Sequence, residues 1–173
     1  MRTLKIFFIA LAGLAGLVSA QSPGAEASVT IGGKSITIKY SSPSVRGRQI
    51  FGEGGVVSKD STYPVWRAGA NAATTLQTGA NLEIAGLNVP AGAYTLYVLV
   101  KDPEEWKLII NKQTGQNGDS YDPGMDLGRV DMKMEKPQAP IEKLKYSITA
   151  NGTTGKLQLE WENHVASVTI RAK

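Results

Sequence analysis

Between Leu157 and Glu162 the chain alternates without a break: Leu157, Leu159 and Trp161 are apolar, while Gln158, Glu160 and Glu162 between them are polar. A period of two belongs to a strand with one face buried, and a helix, with its period of 3.6, cannot present it. The pattern recurs with Ile36, Ile38 and Tyr40 against Ser35, Thr37 and Lys39, and with Leu144, Tyr146 and Ile148 against Lys143, Lys145 and Ser147. Val130, Met132 and Met134 repeat it against Asp131, Lys133 and Glu135, and no window carries helical periodicity of any length. The sequence therefore predicts an all-β fold.

Turn signals divide these segments. Gly32-Gly33 separates Ser28–Ile31 from Lys34–Tyr40 as a two-residue hairpin turn, where both central residues need positive φ. Pro43 stops the second strand, because proline gives no N–H to a ladder. Val45–Phe51 and Thr62–Arg67 read as extended, and Ala73–Thr78 and Ala80–Ile84 as strands about Gly79. Tyr94–Val100, apolar on both faces apart from Thr95, reads as a central strand, with Trp106–Asn111 returning beside it. Lys112–Met125 is a long loop, Asn151-Gly152 is a hairpin turn, and Ala166, Val168 and Ile170 close the chain. Nine or ten short strands at this spacing predict a single-domain antiparallel β-sandwich, of which the jelly roll is one form.

Residues 1–20 read as a cleaved signal peptide: Arg2 and Lys5, an apolar run from Ile6 to Val18, then Val18-Ser19-Ala20 as a small-residue cleavage site. Residues 21–27 are expected to be a flexible leader and 28–173 the β-sandwich domain. Of 173 residues, 153 would remain after cleavage, a one-domain length. Losing Arg2 and Lys5 takes the formal charge from +4 to +2, and no Lys/Arg block suggests nucleic acid. The absence of cysteine excludes disulfides and a lipid-modified cysteine at the cleavage site. The expectation is a protein exported to the periplasm or the medium, without a membrane anchor after cleavage.

After the signal only five arginines remain, and Arg46, Arg48 and Arg67 fall close together in sequence. In an extended chain Arg46 and Arg48 would share a face roughly 7 Å apart. Guanidinium forks suit carboxylate, phosphate or sulfate. Asn71 adds a donor and an acceptor, Trp66 or Tyr63 an apolar wall, and Gly47 and Gly69 allow close approach to the backbone. These six side chains, Arg46, Arg48, Arg67, Asn71, Trp66 and Tyr63, form the candidate ligand site. The alternative makes the arginines structural braces, paired with Glu53, Glu83 or Asp60.

Other clusters carry less. Asn117, Asp119, Asp122 and Asp126 supply oxygens of the kind calcium takes, but not at EF-hand spacing, and read as turn formers. His164 is the single histidine, and without cysteine the common zinc sets are excluded. It reads as an exposed turn residue, and Glu160 and Glu162 as a solvated face. Trp106 and Trp161 read as core. No cofactor or metal is called for.

Three segments together carry a resemblance: Tyr40-Ser41-Ser42-Pro43 with Arg46-Gly47-Arg48; Trp66-Arg67-Ala68-Gly69-Ala70-Asn71; and Val89–Leu96 followed by Trp106–Lys112. In this order and spacing the chain resembles a bacterial secreted family catalogued as domain of unknown function 2911. The resemblance implies an exported, β-rich domain and brings no activity with it. Relatives often place a glutamate after the asparagine, where this chain has Ala72, so chemistry resting on that glutamate is absent here.

The reading is a non-enzymatic binding module for a small anionic or sugar-like ligand. Two alternatives stand beside it. A carboxylate-based hydrolase would show two acids facing across a cleft, at least one with a raised pKa. An envelope protein-interaction domain, whose partner the sequence does not name, would show an apolar patch of a few hundred Å².

Overall fold

The computed structural model describes residues 21–101 and 103–173; the expected signal peptide, 1–20, lies outside them. Thirteen strands run through these residues, with no α-helix: β1 Gly24–Ile31, β2 Lys34–Ser41, β3 Val65–Trp66, β4 Thr74–Thr78, β5 Leu82–Ile84, β6 Leu87–Val89 and β7 Gly92–Leu99. They continue as β8 Lys107–Asn111, β9 Asp126–Asp131, β10 Lys133–Glu135, β11 Ile141–Asn151, β12 Thr154–Glu162 and β13 His164–Ala172. The count exceeds the nine or ten expected in part because β6 is a separate three-residue strand, and because the alternating run from Val130 to Glu135 breaks at Met132 into the end of β9 and β10, which join different sheets.

All pairing is antiparallel. One sheet runs β1-β2-β4-β7-β8-β9 with β3 added to β7, the other β11-β12-β13-β5-β6 with β10 added to β13. Both sheets turn their apolar faces to one core, where Ile36, Ile38, Leu76 and Leu96 meet Leu157, Leu159, Val168 and Ile170. The long alternating segments behave as expected: β1 and β2 pair across Gly32-Gly33, both at positive φ, and β7 pairs in full register with β8. Among the described residues no helix is long and apolar enough to cross a membrane.

Two local expectations are corrected. Gly24–Ala27 belongs to β1 rather than to a flexible leader, with Gly24 opposite Ser41. Ala25 and Ala27 continue the half-buried face of Val29, but their side chains are too small to register as an apolar alternation. Val45–Phe51 is not extended. Arg46 and Gly47 both have positive φ (50° and 67°), and Arg48 N–H returns to the Val45 carbonyl at 3.1 Å. The segment is a tight turn, so Arg46 and Arg48 do not share a strand face.

The outer face of β7 and β8 is the feature that shapes the site. Thr95, Tyr97 and Asn111 are fully buried there although polar, because the 112–125 loop covers them. Asn111 Nδ2 donates to the Asp122 carbonyl and to Asp126 Oδ1, both at 2.9 Å, and Gln116 Nε2 donates to Tyr97 OH at 3.0 Å. Tyr121 OH donates to Asp126 Oδ2 at 2.7 Å, while Arg129 Nη2 meets the same oxygen at 2.9 Å. Buried polar groups need such partners, since an unmade bond costs about 1–3 kcal/mol. The loop is thereby fixed across the sheet, and it delivers Asp119 to the end of the sandwich.

Candidate functional site

At that end three segments converge: the 43–48 turn, the 56–60 turn and the 66–71 loop. Pro43, Arg48, Val57, Asp60, Arg67 and Asn71 border a cavity of about 220 Å³, with Ser22 at one side and the indoles of Trp66 and Trp161 among its walls. The 66–71 loop is held from below. Trp66 Nε1 donates to the Gly69 carbonyl at 3.1 Å, and the Ala68 carbonyl accepts from Tyr146 OH at 2.9 Å and Thr74 Oγ1 at 3.0 Å. Those bonds hold Ala68 at φ 53°, and Asn71, whose carbonyl accepts from Arg67 Nη1, takes φ 58°, a region non-glycine residues seldom occupy. Strain of this kind persists only where the surroundings enforce it, and it gathers at ligand sites.

Arg67 is the centre of the constellation. Its side chain is 13% exposed, and Nη2 lies 3.2 Å from Asp60 Oδ1 and also contacts Asp119 Oδ1. Nη1 donates to the Asn71 carbonyl at 3.3 Å. Burial raises the Asp60 carboxyl above the usual range, and the Asp119 charge adds to that, while the attraction of Arg67 opposes both. Arg48 turns onto its own segment, with Nε donating to the Val45 carbonyl at 3.0 Å and Nη2 to the Ser44 carbonyl at 2.6 Å. Asn71 Nδ2 reaches the Ser22 carbonyl at 3.4 Å. Trp161 is 2% exposed, yet its Nε1 is buried with no acceptor among the described residues.

Four of the six expected site residues thus line one cavity: Arg48, Arg67, Asn71 and Trp66. Arg46 and Tyr63 do not border it. Arg46 sits at the tip of its turn, where its backbone N–H meets Glu142 Oε1 at 2.9 Å, and Tyr63 is exposed beside the cis Tyr63–Pro64 bond. Trp66 is a core residue rather than an open ligand wall, 1% exposed and stacked on Trp161 at 5.7 Å. Arg67 carries the expected brace to Asp60 while still bordering the cavity. Asp119 and Trp161 are the members that sequence reasoning missed. Nothing local announces either, since one lies 52 residues and the other 94 beyond Arg67.

The remaining acids are otherwise engaged. Asp122 Oδ1 accepts from Gly124 N–H at 2.8 Å, and Asp126 from Tyr121 and Arg129. Among the described residues no group of three His, Cys, Asp or Glu side chains could hold a metal ion.

His164 is not an exposed turn residue, and Glu162 is not on a solvated face. Glu162 takes φ 53° and turns inward, where Oε1 accepts from Ile50 N–H at 3.1 Å. His164 stacks on Trp106 at 5.0 Å and meets Phe51 edge-on at 4.9 Å, with Nδ1 3.5 Å from Glu162 Oε2. Burial lowers its pKa, Glu162 opposes that, and Lys136 adds to it. A histidine whose folded pKa is depressed takes up its proton more readily when unfolded. Its contribution is complete above the ordinary value of 6.5 and is lost as pH falls from there through the lower folded value. Urea midpoints taken from pH 8 to pH 5 should therefore fall below 6.5 in the parent and fall less in His164→Phe. Equal slopes in the two proteins would show that His164 does not contribute.

A family model described as "Protein of unknown function (DUF2911)" matches residues 22–170, which bears out the resemblance drawn from the three segments. No curated protein and no solved structure matches the chain.

Proposed function

Because the chain belongs to the DUF2911 family, which brings no activity with it, we propose its function from the site itself: an exported module that binds a small polar ligand in the cavity at Arg67. One observation carries this reading. Arg48, Arg67, Asp60 and Asn71 border the same space, so its wall sets two arginines and an amide against a single carboxylate. Guanidinium forks suit the carboxylate, phosphate or sulfate of a small polar ligand. Export rests on the Arg2–Ala20 pattern, which also places the processed end one residue before Ser22 in the cavity wall.

The other classes find less support. A hydrolase needs two carboxyls facing across an open cleft. Asp60 has the raised carboxyl, but it and Asp119 meet on one guanidinium nitrogen, an arrangement that holds charge rather than moves protons. A docking face needs an apolar patch, and among the described residues Tyr63 is the one large hydrophobic side chain that is exposed.

The test is a thermal-shift screen of residues 21–173 against acidic sugars, phosphates, sulfate, dicarboxylates and neutral sugars. Ligand at 100 times its dissociation constant adds about 2.7 kcal/mol, or roughly 5–10 °C for a domain of this length. The shift should vanish in Arg48→Ala and in Asn71→Ala, both of which replace exposed side chains and leave the core intact. A panel without any shift, or a shift that survives both substitutions, would sink this reading.

A further inference from the structure

Resting on that reading, we infer that the cavity takes a small carboxylate with a hydrogen-bond donor on a neighbouring carbon, and that Asp119, from outside the wall, holds the same Arg67 nitrogen when none is bound. Size sets the first limit. At about 30 Å³ per water, 220 Å³ equals roughly seven waters, which fits a sugar acid, a hydroxy acid or an amino acid.

Charge sets the second. Arg48 and Arg67 stand against Asp60 in the wall, an excess of one positive charge. Asp119 neutralises that excess from outside the wall, with its side chain 65% exposed against 13% for Arg67. The Asp119 carboxylate already stands largely in water, so it loses little on release from Arg67. A ligand carboxylate arriving from the cavity can take the same Nη2, with the planar fork favouring that exchange. Asp60, 23% exposed, remains in place as acceptor for the ligand's own donor.

The experiment is calorimetric titration with glycerate, gluconate, serine, glycerol and glucose. The three carboxylates should bind at least about tenfold more tightly than the two neutral polyols, the difference of one charge-assisted bond. Serine against glycerate reports whether Asp60 prefers an ammonium or a hydroxyl. Asp119→Asn removes the internal competitor and should tighten carboxylate binding about two- to fivefold, the reciprocal of the fraction of Arg67 it leaves free. Arg67→Lys, which keeps the charge and loses the fork, should weaken it.

If the polyols bind as well as the carboxylates, or if Asp119→Asn leaves affinity unchanged or lower, the assignment of ligand class and competitor is overturned while the binding module stands. If none of the five probes binds, the ligand class is overturned, and a shift from another compound in the wider screen would still uphold the module.

Discussion

Replacing Trp66 by alanine should lower stability by about 3–5 kcal/mol, the range for a large aromatic deleted from a core, and should lower Tm by roughly 10 °C. Trp66 is 1% exposed and lies between three rings: Trp161 stacked at 5.7 Å, Phe51 edge-on at 5.3 Å and Trp106 at 6.3 Å. Aromatic contacts of this geometry add about 0.5–1.5 kcal/mol each beyond the area they bury. The indole also donates to the Gly69 carbonyl, so its loss leaves a buried acceptor in the loop that carries Arg67. Trp66→Phe separates the two effects: it keeps a ring in the stack and removes the N–H, and should cost about 1–3 kcal/mol. Urea unfolding of the three proteins decides the matter. A cost below 1 kcal/mol for the alanine variant would mean that the ring acts as an open wall, as its sequence context first suggested.

That contrast shows what the sequence made legible. The sandwich was readable because β2, β11, β12 and β13 are long enough to repeat a period of two, and because Gly32-Gly33 and Asn151-Gly152 need turns whatever surrounds them. The short β6 left no signal of its own, and the break at Met132 that sends β10 to the other sheet could not be read from an alternation that runs unbroken from Val130 to Glu135. The clustering of arginines pointed to the right end of the molecule, and Arg48, Arg67, Asn71 and Trp66 do meet there. Their roles were not readable. Whether Trp66 is wall or core depends on Trp161, and whether Arg67 is free or paired depends on Asp60 and Asp119. His164 follows the same rule: Trp106 and Phe51, 58 and 113 residues away, turn a polar-looking tripeptide into a buried stack. Local pattern sets backbone class, whereas burial and partnership come from residues remote in the chain.

Gly118 places the sharpest demand on this end of the sandwich. It is buried where the 112–125 loop crosses the 66–71 loop, and a Cβ built on it would lie 2.4 Å from the Asn71 carbonyl oxygen and 2.6 Å from Arg67 Cδ. Neither neighbour can yield easily: Asn71 is held at positive φ, and Arg67 is fixed by Asp60, Asp119 and the Asn71 carbonyl. The loop itself must lift, which breaks the bridge between Ala72 and Asn117 and draws Asp119 away from Arg67. Gly118→Ala should thus destabilise by about 1–3 kcal/mol, the usual cost of overfilling a packed site. Gly24→Ala is the matched control, since a Cβ there meets nothing within 4 Å, and it should stay within about 0.5 kcal/mol of the parent. Hydrogen exchange supplies the second readout. Faster exchange in Gly118→Ala should be confined to 67–72 and 112–125, with β11 to β13 unchanged, because the loop is a cover on the sheet and not part of the core. Equal exchange and an equal midpoint in the two variants would show that the crossing is loose, and that Asp119 reaches Arg67 by its own flexibility rather than by the packing of Gly118.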